Sequence, residues 1–220
     1  MAIASNHSTT AADAGCIAAL AIDDGVAGHT LFRRLSAPGA AGRDLADAVH
    51  ALCSVHGRLN DLFDEAARRS VAELDNRWIA AAAAGFQLER GYLAHLTAAV
   101  GPLPSTPGQA ESDAAFAAMR HTFDMLARSD RAGCSTGAAL ALVIDWHAFR
   151  AILDAAARRA GSTIAATQLP DIAETKTIAD GHGASAAVRR AMAFGAQQTF
   201  AQHRGLCDLI EARAIARDRL

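Results

Sequence analysis

Ionisable side chains set among apolar residues at helical spacing have the most scope for chemistry in this chain. Glu89 lies three residues after Phe86 and four before Leu93, so a helix carries its carboxylate on the same side as both. His56 stands in the same way between Leu52 and Leu59, Asp145 between Leu142 and Phe149, and His147 between Val143 and Ala151. His203 and Cys207 are four apart and share a face beside Phe200 and Leu206, while Tyr92, the sole tyrosine, is placed to hydrogen-bond Glu89 from an adjacent turn. Buried groups of this kind demand partners. His56, Glu89, Tyr92, Asp145, His147 and His203 are therefore the candidate pocket for a small ligand. Were a metal bound, His56, Glu89, Asp145 and His203 would be the first ligands to test, with Arg58, Arg77 and Arg90 as counter-charges. The plainer expectation is a set of hydrogen-bonded core residues, with His56 or His203 donating to a carboxylate or a backbone carbonyl.

Stronger chemical motifs are missing from the sequence. A carboxylate-bridged di-metal bundle uses Glu-x-x-His pairs on two helices, and the nearest approach is a single Asp47-x-x-His50. His50 with Cys53, and His203 with Cys207, each make at most half a zinc site. Ser135 and Thr136 suit a helix start, and no Gly-x-Ser-x-Gly is present. The glycines at 25–28 and 181–183 lack the spacing that cradles phosphate. No catalytic residue, metal or other cofactor is expected.

The elements that must position these residues are helical. About a quarter of the 220 residues are alanine, 51% are hydrophobic and only 5% aromatic, which describes a globular chain biased toward helix. The balance of 21 basic against 23 acidic residues argues against a nucleic-acid partner. No basic leader precedes an apolar run, and the longest such run, 138–144, is too short for a membrane span, so a cytoplasmic protein is expected. Four scattered cysteines without a Cys-x-x-Cys read as reduced thiols.

Residues 1–12 read as a flexible lead-in, followed by one domain over 13–220. A short helix is expected over 13–22, and longer ones over 44–70, 71–100, 109–130, 135–160 and 184–217, the one over 135–160 lying nearest the centre. Three prolines within 101–108 end the second of these long segments. Residues 162–183 read as a long crossover or exposed loop with room for one short turn of helix, serving as a lid, a partner contact or simply a long connection. The expected fold is all-α: an up-and-down bundle with four long helices plus a short N-terminal one, ferritin-like in arrangement.

Glu89-Arg90-Gly91-Tyr92-Leu93, the run Gly101-Pro102-Leu103-Pro104-Ser105-Thr106-Pro107-Gly108-Gln109-Ala110-Glu111, and Asp145-Trp146-His147 resemble an uncharacterised family of alphaproteobacterial helical proteins, over the middle third of the chain. The resemblance implies a bacterial source and a shared helical fold, and it brings no substrate, cofactor or reaction. The expected role is action through self-association or a protein partner, helped by small-residue faces such as 80–84. The alternative is a small-ligand or metal-binding bundle, a divergent ferritin-like metalloprotein.

Overall fold

The computed structural model describes residues 17–57, 61–69, 73–179 and 184–219. The expected lead-in over 1–12, and the start of the helix expected over 13–22, lie outside them. The described residues form helices α1 (Ile17–Asp24), α2 (Thr30–Ser36), α3 (Gly42–His56), α4 (Asp61–Arg69), α5 (Glu73–Ala99), α6 (Gln109–Ala127), α7 (Cys134–Ala160), α8 (Ile172–Ala179) and α9 (Ala186–Asp218), with a 3₁₀ turn at Val26–Gly28.

The all-α class holds, but the up-and-down bundle of four long helices does not, and with it goes the ferritin-like arrangement. These are nine helices, among the described residues, gathered around one of them. α7 packs against α1, α2, α3, α4, α5, α6, α8 and α9. The expected helix over 44–70 is two: α3 ends at His56, and Gly57 closes it by donating its N–H to Cys53 O. Apolar spacing such as Val49, Leu52 and Phe63 reads the same through a break as through a continuous helix, because each segment needs only its own buried stripe.

Local chemistry explains where α7 begins and ends. Gly133 (φ 95°) and Gly161 (φ 65°) flank it in the left-handed region that other residues resist. After Gly161, the Ser162 N–H bonds back to Ala157 O and the Gly161 N–H to Arg158 O, satisfying carbonyls the helix would leave unpaired. By length and composition α7 could cross a membrane, but 83% of its apolar window is buried within the protein, as in a core helix. Its neighbour α9 approaches it backbone to backbone through Gly137 and Gly195.

Residues 162–179 of the expected crossover are tied to the helices beside them. Pro170 precedes α8, and Asp171 caps it by accepting the Glu174 N–H. Thr175, fully buried, then accepts the indole N–H of Trp78 at 3.2 Å. Ahead of α8, the 162–170 stretch is strapped by Arg150 to Ala165 O, by His147 to Pro170 O and by His95 to Ser162 Oγ.

The C-terminal turns of α9 are held to α3 by buried ion pairs. Arg213 and Arg217 both clasp Asp47, Arg217 also reaches Asp44, and both bond to Thr106 in the proline-rich loop. That loop is thereby pinned against two helices.

Candidate functional site

Few aromatic residues are available, and the core spends several of them in one place. His56, at the end of α3, is fully buried, with its ring centroid 5.3 Å from Phe123, 5.4 Å from Trp146 and 5.0 Å from His203. His203, also fully buried, packs against Phe123 and Phe149 as well. Three helices supply the walls: α6 gives Phe123, α7 gives Trp146 and Phe149, and α9 gives His203 itself.

Asp145 on α7 completes the group. Its Oδ2 lies 2.7 Å from His203 Nδ1, and its Oδ1 accepts the Val26 N–H at 3.0 Å. A carboxylate only accepts, so His203 Nδ1 carries a proton and donates it, leaving Nε2 as the ring's other nitrogen. That Nε2, and both ring nitrogens of His56, are buried with no hydrogen-bond partner. The 3₁₀ turn closes the centre from outside: a Cβ on Gly25 would stand 3.2 Å from Asp145 Oδ1.

Glu89 joins a second network beyond Trp146. Its oxygens accept the Trp146 indole N–H at 3.0 Å and Arg150 Nη1 at 2.7 Å. Arg150 continues to Asp154, which accepts the Tyr92 hydroxyl at 2.9 Å, and the guanidinium lies 4.2 Å above the Tyr92 ring. Burial, then the bond to Asp154, pushes the Tyr92 phenol up, so it stays protonated. Tyr92 thus bonds Asp154 rather than Glu89. His147 is half-buried and faces the crossover through Pro170 O, outside the histidine centre. Of the candidates, His56, Asp145 and His203 meet directly, and Trp146 connects them to Glu89.

The counter-charge for Glu89 is Arg150, one turn after Trp146, which the sequence reading passed over. Arg90 instead donates to Gly57 O, Arg77 is exposed, and Arg58 lies outside the described residues. An Arg four residues after an apolar-face Trp, with Asp154 four further on, was the available signal. Cys207 sits one turn from His203, and burial, with Asp145 nearby, holds its thiol protonated.

A trio at cation spacing, which sequence reasoning missed, lies elsewhere and is partly exposed: ligand atoms of His29, Asp208 and Glu211 fall within 4.8 Å of one another. Distance is the feature that suits a cation. His29 Nδ1 accepts the Leu31 N–H as a helix cap, so Nε2 bears the ring proton that it gives to Asp208. Glu211 meanwhile accepts the Thr30 hydroxyl on both oxygens.

The histidine centre makes stability depend on acid. Burial, and secondarily His203, lower the His56 pKa well below its ordinary 6.5. The unfolded chain then binds the proton more readily than the fold, so stability is fully present above about pH 6.5 and falls as pH drops below it, by up to about 1.4 kcal/mol per unit from this ring. Urea midpoints between pH 7.5 and 5 should show that slope, and His56→Phe should flatten it.

Compared with known proteins, residues 21–218 match the model of a family described as "Family of unknown function (DUF6975)". No curated protein and no solved structure matches the chain.

Proposed function

The chain belongs to this family of unknown function, and we propose that it is a small-ligand-binding helical protein whose site is the buried His56–His203–Asp145 centre. One observation carries the reading: three ring nitrogens, on two adjacent and fully buried imidazoles, have no hydrogen-bond partner. Leaving a buried polar group unpaired costs about 1–3 kcal/mol, and a native core keeps such a cost where the group has a task. Asp145 orients one of the two rings in the way carboxylates orient working histidines. The aromatic walls favour a compact ligand that bonds to imidazole nitrogens. Free thiols at Cys53, Cys134 and Cys207 suit a reducing, cytoplasmic setting.

Action through self-association or a protein partner draws less support. The exposed large apolar side chains Ile22, Leu88, Leu103, Met125, Ile164, Ile172, Phe194 and Ile215 are spread over five helices and two connecting segments, and only Phe194 and Ile215 share a helix, 21 residues apart. A surface cleft of about 480 Å³ between Arg131 and Arg190 shares no residue with the histidine centre. The alphaproteobacterial origin suggested by resemblance has no counterpart in the family match, which carries no taxonomic information.

Native mass spectrometry on gently purified protein tests the ligand reading. The expected result is a chain heavier than its sequence by one small species, absent from a folded His56→Phe variant. A bare mass for the unaltered chain, with no rise in Tm on adding transition-metal ions, would overturn it.

A further inference from the structure

Two arginines flank a cleft beside the loop that leads from α6 into α7. Arg131, in that loop, and Arg190, in the second turn of α9, line one surface cavity of about 480 Å³. Both are exposed, and a guanidinium keeps its charge at any physiological pH. Among the described residues neither meets a carboxylate or a carbonyl: the neighbouring Asp130 pairs with Arg69, and Arg189 donates to Ala184 O. Ala132, Ala187, Val188 and Ala191 complete the lining, so the two charges border an apolar floor. Ala187 and Val188 stand in the first turn of α9, where the helix dipole adds positive potential.

The walls of the cleft are fixed relative to each other. Gly133, just after Ala132, comes so close to α9 that a Cβ there would stand 3.0 Å from Val188 O, and the Cys134 N–H bonds back to Arg131 O at 3.0 Å. Arg131 is positioned as well. Its guanidinium lies over the Phe194 ring, 5.3 Å from the centroid, which occupies one face of the group and leaves its N–H edges for a ligand. Planar edges of this kind bind carboxylate and phosphate oxygens two at a time. A bare inorganic anion uses the charges and leaves the alanines and valine wet, while a neutral apolar molecule covers the floor and leaves the charges unused. The volume falls within the range of small-molecule sites, about 300–1,000 Å³. We propose that the cleft is a second binding site, apart from the histidine centre, for a small organic anion. Its carboxylate or phosphate head lies between Arg131 and Arg190, and its apolar body rests on the floor between them.

The test follows the full chain, labelled with ¹⁵N, by NMR as hexanoate, phenyl phosphate, inorganic phosphate or hexanol is added. Hexanoate and phenyl phosphate should shift the amides of Ala132, Ala187, Val188 and Ala191 to saturation, with the tighter of the two identifying the head group. Inorganic phosphate and hexanol, each lacking one half of the ligand, should bind at least about tenfold more weakly. Arg131→Gln and Arg190→Gln should each weaken the organic anions by about tenfold or more, since each removes charge-assisted hydrogen bonds. Both positions are exposed, so an unchanged Tm is expected and ties the loss to the cleft. Three results would overturn the proposal: no saturable shift at these amides from either organic anion, inorganic phosphate binding as tightly as phenyl phosphate (an adventitious ion only), or hexanol matching hexanoate while both arginine variants keep full affinity, the mark of a plain apolar groove. The cleft shares no residue with the histidine centre, so this outcome and that of the native mass spectrum are independent.

Discussion

Gly137→Ala is expected to unfold the protein or to cost it about 3–5 kcal/mol, more than the usual overpacking penalty. A Cβ at that position would stand 1.9 Å from Met192 O and 2.5 Å from the Met192 carbonyl carbon, both backbone atoms of α9. A flexible side chain could swing aside, but a helix backbone moves only by separating the two helices along their length. The reciprocal contact is as close: a Cβ on Gly195 would lie 2.1 Å from Cys134 O. Gly195→Ala should therefore behave alike, and because the two glycines serve one crossing, the double substitution should cost less than the sum. Gly91 supplies the contrast, being an exposed position in α5 with nothing within 4 Å of its Cβ. Gly91→Ala should raise stability by about 0.5–1 kcal/mol. Urea midpoints for the three variants check the prediction, and near-native stability of Gly137→Ala would show that α7 and α9 have room for a methyl group at their crossing.

The second large effect is expected at Asp47. Arg213 reaches this carboxylate through Nε and Nη2, and Arg217 reaches it at 2.7 Å through Nη1, with all three side chains almost wholly buried. Asp47→Ala leaves two desolvated guanidinium groups sharing only Asp44, Thr106 and Gln109. Breaking a buried pair from one side costs about 3–5 kcal/mol, mostly through the stranded charge rather than the lost attraction. The combination Asp47→Ala with Arg213→Met should thus recover a substantial part of the loss, as the remaining Arg217 still pairs with Asp44. High salt should leave the Asp47→Ala defect unchanged, because the groups lie where ions do not screen them. Full recovery in salt would place the cluster at the surface instead.

Asp47 also illustrates what a linear reading can and cannot see. Beside His50 it resembles half a metal motif, yet His50 bonds to Gly101 O, and the partners of Asp47 lie 166 and 170 residues along the chain. Nothing in the spacing of either segment announces that meeting. The same holds for Glu89, whose apolar-face position was legible while its recruitment by Trp146 and Arg150 was not.

Local patterns along the chain were enough to show that the protein is helical and where most long helices run. The expected segments 71–100, 109–130, 135–160 and 184–217 agree with α5, α6, α7 and α9 to within a few residues. Helix formation is local: hydrogen bonds span four residues, and proline and glycine mark the ends. The polar positions on apolar faces, His56, Glu89, Asp145 and His203, were visible for the same reason. Packing between helices settled that 44–70 divides into α3 and α4, that α7 is surrounded, and that Asp145 meets His203 across 58 residues while Glu89 turns to Arg150. Those choices depend on how each helix is rotated and offset against its neighbours. Shape fit over the whole core settles that, and periodicity within one helix does not encode it.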